Sequence, residues 1–317
     1  MVGDTTAQEA AIPHPNEIGL MAAFMTTVAA ASTQAGSELK SFVAEAEPQF
    51  EAAKKIAREY RLFAKTKAVK DKVMAKMARV VEQANARLAG VAAAARVQRA
   101  RLSKYAKVAT DKVLRLHETM AKLLPQIRYW LKTGYVASGK IISLHIPELY
   151  SIVRGKVGKK VEFGLSWGIR RLRGGYLLAT VATSKNELHD SKYALSAVDE
   201  HVALFGKPPK AYAYDRGGWS QENVAALRKK GVKQVGLAPR GRAGWKVGRA
   251  MKKKLISERA QVEGGIGTLK HPKYGFNRPA ARSARMMGFC GQAAALGFNL
   301  NKLVRELAQR EKIQLVG

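Results

Sequence analysis

The chain is poor in acid, in cysteine and in long apolar runs, and each shortage excludes something. Asp and Glu number 24 against 56 Lys and Arg, which leaves a formal charge of +32 over 317 residues. A free globule with that excess repels itself, so DNA, RNA or an anionic membrane is the expected class of partner, with nucleic acid first. Cys290 is the sole cysteine, which excludes an internal disulfide and any multi-cysteine zinc site and is compatible with a reducing cytoplasm. Set between Phe289 and Gly291, it reads as a small buried hydrophobe. The uncharged stretch 18–37 is mostly Ala, Thr, Ser and Gly, and no basic segment precedes it. It is expected to be a buried helix rather than a membrane span or a signal peptide. The six histidines form no HExxH pattern, and His189-Asp190 reads as a loop before a helix.

What is present is a chain with a core. Its apolar fraction of 47% and its length suit one large domain or two ordinary ones. From Glu38 to about Thr133 the sequence is rich in Ala, Lys, Arg, Leu and Glu, with prolines only at Pro48 and Pro125, which predicts long helices. Val69, Val73, Met77, Val80 and Val81 recur at helical intervals and make one apolar stripe on a charged rod. Arg96, Arg99, Arg101, Lys104 and Lys107 make either a DNA-facing surface or a solvated helix face.

After Gly139 the texture changes. "KIISLHI", "KVEFGLSWGIRRL" and "YLLATVAT" carry strand signals, then helical and strand segments alternate: a helix ending at Gly206, the strand "AYAY", a helix capped by Ser220 and the strand "VKQVGLA". Two further helical segments follow, separated by a basic loop. The fold class expected is α/β, with a long all-helical segment near its start. The boundaries are 1–16 for the first strand and turn, 17–138 for the helical insertion and 139–317 for the remainder.

Three acids are candidates for chemistry. Asp215 follows the "AYAY" strand, at the strand end where open α/β sheets bind ligands, although Asp before Gly-Gly is equally good turn chemistry. In "SERAQVEGGIGTLK" the helical angle puts Arg259, Glu263 and Lys270 on one face and turns Glu258 away. Clustered glycines beside Glu263 suggest close approach of something to the backbone, and a plain i,i+4 Arg–Glu surface pair is the alternative. Asp4 opens a short β-like stretch.

Around these residues the chain resembles the DDE-type insertion-sequence transposases of the IS4-like superfamily, over nearly its whole length. "DTTAQEAAIPHPNEIGLM" is similar to the first-acid segment, with His14-Pro15-Asn16-Glu17 at its turn. Arg154-Gly155-Lys156 and Glu162-Phe163-Gly164 match the Arg-Gly-Lys and Glu-Phe-Gly stretch, and "YDRGGWS" looks like the second-acid turn. Arg259, Glu263 and Lys270 match the last motif, whose Tyr position is Ile256 here.

The resemblance implies a ribonuclease-H-like mixed sheet with a large helical insertion after the first strand. It also implies a catalytic and metal-binding triad of Asp4, Asp215 and Glu263 with Mg²⁺ or Mn²⁺ as cofactor. DNA contacts fall to Arg259, Lys270, Arg154 and Lys156, while Arg216 takes either a phosphate or a structural carboxylate. The implied partners are double-stranded DNA, as transposon ends and target, and a second copy in a homodimer. No membrane is implied, and the expected place is the cytoplasm, at the nucleoid. Only three residues precede Asp4, so a copy truncated at its start is expected, and a degenerate one is compatible with that.

Chemistry supports the residue types independently, since two divalent cations about 3.5–4 Å apart, held by carboxylates, can activate a nucleophile and stabilise a leaving oxygen at a phosphodiester. The alternatives are a non-catalytic basic DNA-binding protein derived from a transposase and a ribonuclease-H-like repair nuclease. Every DNA reading requires that duplex affinity fall with salt, with a slope of about −0.9 per phosphate neutralised. A titration from low to physiological salt measures it, and a flat response excludes them all.

Overall fold

The structure is a computed structural model that describes residues 1–153, 161–182, 188–239 and 247–314. Arg154 and Lys156 lie outside the described residues. The chain divides into two compact units, one made of Met1–Ala11 and Ser151–Gly317 and the other of Ile12–Tyr150.

The Ile12–Tyr150 unit is helical: α1 (Glu17–Ser32), α2 (Ser37–Glu45), α3 (Glu47–Phe63), α4 (Lys67–Gln98) and α5 (Lys104–Thr133). Local chemistry sets the starts. Asn16, in the turn likened to the first-acid segment, caps α1 by accepting from the Gly19 N–H at 2.7 Å. Thr66 and Ser103 cap α4 and α5 in the same way, and α5 stops at Gly134, which adopts φ +72°. The α1 helix, uncharged after Glu17, buries Met21, Phe24 and Val28 in a core shared with Leu39, Phe42, Met77, Leu88 and Met120. On α4 the buried line runs through Val73, Met77 and Val81, with Val69 exposed at its start.

Two of the basic side chains near the α4–α5 connection are engaged across the hairpin. Arg96 pairs with Glu118 at 2.7 Å, and Arg99 makes a two-nitrogen contact with Asp111. Such exposed pairs add little stability but hold the side chains in place. Residues 140–146, expected as a strand, are not one. Ile141 and Leu144 are spent on the helical core, and the Ile141 N–H donates to the Gln126 side chain at 2.9 Å instead of to a neighbouring strand.

The other unit is α/β, with a mixed open sheet that has six strands among the described residues: β1 (Val2–Glu9), β2 (Tyr150–Val153), β3 (Val161–Arg171), β4 (Leu177–Val181), β5 (Ala211–Tyr214) and β6 (Gln234–Leu237). The order is β2-β3-β1-β5-β6, with β4 also paired to β3. β1 runs antiparallel to β3 over its full length, from Val2↔Arg171 to Glu9↔Gly164, and parallel to β5 at Val2↔Ala213. Helices α6 (Asp190–Phe205), α7 (Gln221–Lys229), α8 (Arg249–Leu269) and α9 (Ala284–Gln314) complete it. The α7 start has the expected Ser220 cap, and α6 ends at Gly206 with φ +69°. Among the described residues no helix is long and apolar enough to cross a membrane.

Two glycines set the spacing around β3. A Cβ on Gly164 would lie 1.9 Å from the Gln8 carbonyl oxygen, and one on Gly168 would lie 2.1 Å from the Tyr193 ring of α6. The glycine of the Glu-Phe-Gly stretch is thus required by close approach of β3 to β1. Gly168→Ala must displace a fully buried Tyr193, so a loss of about 1–3 kcal/mol is expected, read as a lower urea midpoint at unchanged slope.

Candidate active site at the end of strand β5

Strand alternation sorts the polar residues of β1. Thr5 and Gly3 face α6, where Gly3 lies against the Tyr212 and Tyr214 rings. Asp4, Thr6 and Gln8 face the other way, toward α8 and α9. Gln8 is fully buried there, accepting from the Trp167 indole at 3.0 Å and donating to the Met287 carbonyl at 2.9 Å. On β6, Gly236 is pressed against Leu255 of α8, so α8 covers this same face.

The acids follow from this geometry. Val2 pairs with Ala213 on β5, and the same register carried two residues further sets Asp4 level with Asp215. Adjacent strands are about 4.8 Å apart, and both side chains emerge on the α8 face. Asp4 is half-buried, and its Oδ1 accepts the Thr5 N–H at 2.8 Å. Asp215 is still extended, with φ −65° and ψ 164°, and its carboxylate accepts the Arg216 N–H to open the turn Arg216–Gly218.

The next two positions must be glycine. A Cβ on Gly217 would meet the Asp190 carboxylate at 2.4 Å, and one on Gly218 would meet the Tyr214 ring at 2.5 Å. The "DRGG" sequence is therefore both a turn and a close fit of that turn against the start of α6.

Helix α8 supplies the third acid. Arg259 Nη2 lies 3.1 Å from Asp215 Oδ1 and 3.4 Å from Glu263 Oε1, so one guanidinium nitrogen bridges the two carboxylates. The i,i+4 Arg–Glu surface pair is present, and the same guanidinium also reaches Asp215 at the end of β5. Lys270 is half-buried and ends α8, and Arg216 is exposed beside the turn. Gly264 and Gly267 face open space and Gly265 makes only ordinary contact with Leu177, so the close approach suggested by these glycines comes from no described residue. Glu258 is turned away, into a basic cleft of about 870 Å³ lined also by Arg171, Arg173, Lys210 and Lys254.

The three acids are oxygen donors of the kind Mg²⁺ takes. Among the described residues, however, no three His, Cys, Asp or Glu side chains cluster tightly enough to ligate one ion. Asp4 with Asp215 suits a divalent cation in kind, while Glu263 is engaged with Arg259.

One acid at this end escaped the sequence reading. Asp190, the first residue of α6, accepts from the Thr5 hydroxyl at 2.8 Å and from the Tyr214 hydroxyl at 3.1 Å. Burial first, and then the neighbouring Asp190 carboxylate, push the Tyr214 phenol far above the ordinary tyrosine range, so it remains a donor. The available signal was an acid in the first turn of a helix, which is commonplace.

Comparison of the chain with protein-family models, curated proteins and solved structures found no match. The case for a function therefore rests on sequence resemblance and geometry.

Asp190→Ala strands the Tyr214 hydroxyl in a buried setting and is expected to cost about 1–3 kcal/mol. Adding Tyr214→Phe should recover part of that loss. Additive losses in denaturant titrations of the four proteins would refute the coupling.

Proposed function

We propose that this chain is a DDE-type transposase, of ribonuclease-H-like fold, that cleaves and joins DNA at insertion-sequence ends. What supports the reading is the β1–β5 pairing at Val2↔Ala213, a register that, continued two residues along both strands, would bring Asp4 toward Asp215 on the face where Arg259 of α8 meets Asp215. Two acids far apart in sequence have no structural need to meet in a chain so short of acid.

In this reading Asp4 and Asp215 hold Mg²⁺ or Mn²⁺, and Glu263 joins them by exchanging its contact with Arg259. When bound, such ions activate a water or a DNA 3′-hydroxyl and neutralise charge on the leaving oxygen. Arg259, once released from the carboxylates, has a planar fork suited to a phosphodiester oxygen pair. Lys270 and the exposed Arg216 flank the same face as phosphate contacts. The turn Arg216–Gly218, held close to α6, fixes the backbone on either side of Asp215.

A second reading is a non-catalytic DNA-binding protein derived from a transposase. It is favoured by Arg259, whose side chain already neutralises Asp215 and Glu263 without any ion.

The deciding experiment is Mg²⁺- or Mn²⁺-dependent nicking of duplex DNA by the intact chain beside Asp215→Ala and Glu263→Gln. Nicking should fall in both variants by more than the roughly 10–100-fold that follows loss of an outer-shell partner. Glu263 is exposed and, among the described residues, its ion pair is with Arg259, so its variant tests chemistry apart from the turn at Asp215. Salt-sensitive DNA binding with no metal-dependent nicking in any of the three proteins would establish the second reading.

A further inference from the structure

The basic cleft that receives Glu258 lies at the end of β5 opposite Asp215. Lys210 precedes this four-residue strand and Asp215 follows it, which separates the two by about 16 Å at 3.3 Å per residue. Three further elements line the cleft. Arg171 and Arg173 come from the end of β3 and the turn after it, Lys254 and Glu258 from one face of α8, and His201 and Phe205 from the last turns of α6.

Local chemistry places the cations. Gly174 has φ 86° and ψ −12°, and the Gly175 N–H donates to the Leu172 carbonyl at 3.0 Å, a type II turn with Arg173 at its corner. A Cβ on Gly175 would come within 3.1 Å of Arg171 Nη2, so glycine there leaves room for the guanidinium. Among the described residues neither Arg171, Arg173, Lys210 and Lys254 nor Glu258 is in an ion pair. Four cations around one concavity repel each other until a multivalent anion joins them.

Two features narrow the anion. The Phe205 ring is 46% exposed and stands beside the His201 ring, with centroids 4.6 Å apart, which is an aromatic platform at the edge of a cationic site. Glu258 sets one acid among the cations. A bare phosphate chain gains nothing from it, whereas a sugar hydroxyl or a base amino group donates to it.

We propose that this cleft binds a nucleoside polyphosphate, with the phosphates on Arg171, Arg173, Lys210 and Lys254, the base on Phe205 and a sugar or base donor at Glu258. Its volume of about 870 Å³ falls in the range of small-molecule sites, and arginine forks match phosphate oxygens. Duplex DNA does not meet these demands, because its bases stack on one another and offer no face to Phe205. The inference does not rest on the transposase reading and holds or fails apart from it.

Calorimetric titration of the intact chain with ATP, tripolyphosphate and adenosine tests it, at physiological salt and in EDTA to keep metal from the carboxylates beyond β5. Any purification tag belongs at Gly317, since Met1 also lines the cleft. ATP should bind one molecule per chain, at least about tenfold more tightly than tripolyphosphate or adenosine. Phe205→Ala should weaken ATP about tenfold and leave tripolyphosphate unchanged, whereas Lys210→Ala/Lys254→Ala should weaken both. These side chains are exposed, so the far-UV circular dichroism should not change. Phe205→Leu and Lys254→Gln replace either variant that loses its helical signal. ATP that binds no more tightly than tripolyphosphate, or that ignores these substitutions in folded protein, overturns the inference. So does a single-stranded oligonucleotide that binds through these residues where ATP does not.

Discussion

The position of β1 is the constraint on which the α/β unit depends. This strand has β3 on one side and β5 on the other, and it is covered by α6 on one face and by α8 and α9 on the other. A strand enclosed this way would ordinarily be an apolar run, yet it reads "VGDTTAQE". Two of its polar side chains are held by distant partners: Thr5 by Asp190, Gln8 by Trp167 and the Met287 carbonyl. The absence of a side chain at Gly3 lets the Tyr212 and Tyr214 rings of the adjacent strand β5 close over it. Because β1 is held by side-chain hydrogen bonds as well as by its ladder, its register is fixed, and with it the height of Asp4 relative to Asp215.

That register also explains how a chain with so few acids concentrates them. Asp4, Asp190 and Asp215 come from the middle of one strand, the start of one helix and the end of another strand, and they converge at one end of the sheet. Asp190 faces one side and serves Thr5 and Tyr214, whereas Asp4 and Asp215 face the other. The sheet thus separates a carboxylate with a structural duty from two whose side chains emerge beneath α8. Arg259 reaches from that helix to Asp215, and in so strongly basic a protein it is the nearest compensation for clustered negative charge.

Much of this was legible in the sequence. The alternation of segments gave the α/β class, Ser220 and Gly206 marked helix ends, and the 100° helical angle already separated Glu258 from Glu263. Residues 140–146 misled, because an alternating apolar segment looks the same whether its backbone pairs with a strand or lies extended on helices. The meeting of Asp4 with Asp215 was suggested only by resemblance, since strand order is non-local and nothing in "AYAY" names its neighbour. Gly164 and Gly168 illustrate the same limit: both sit inside a segment read as a strand, but each is required by an atom far away in sequence.

The helical unit interrupts the chain between β1 and its partner strand, so Gln8 and Trp167 hydrogen-bond across 159 residues. Joining them carries a loop-closure entropy that grows only logarithmically with loop length, but it must be met before any sheet contact rewards it. Contacts among α1 to α5 are more local, and they shorten the effective loop once formed. Helix formation there shortens the effective span between β1 and β3, two interior neighbours of the sheet, before they pair. β1, made first by the ribosome, is then among the last strands to find its place.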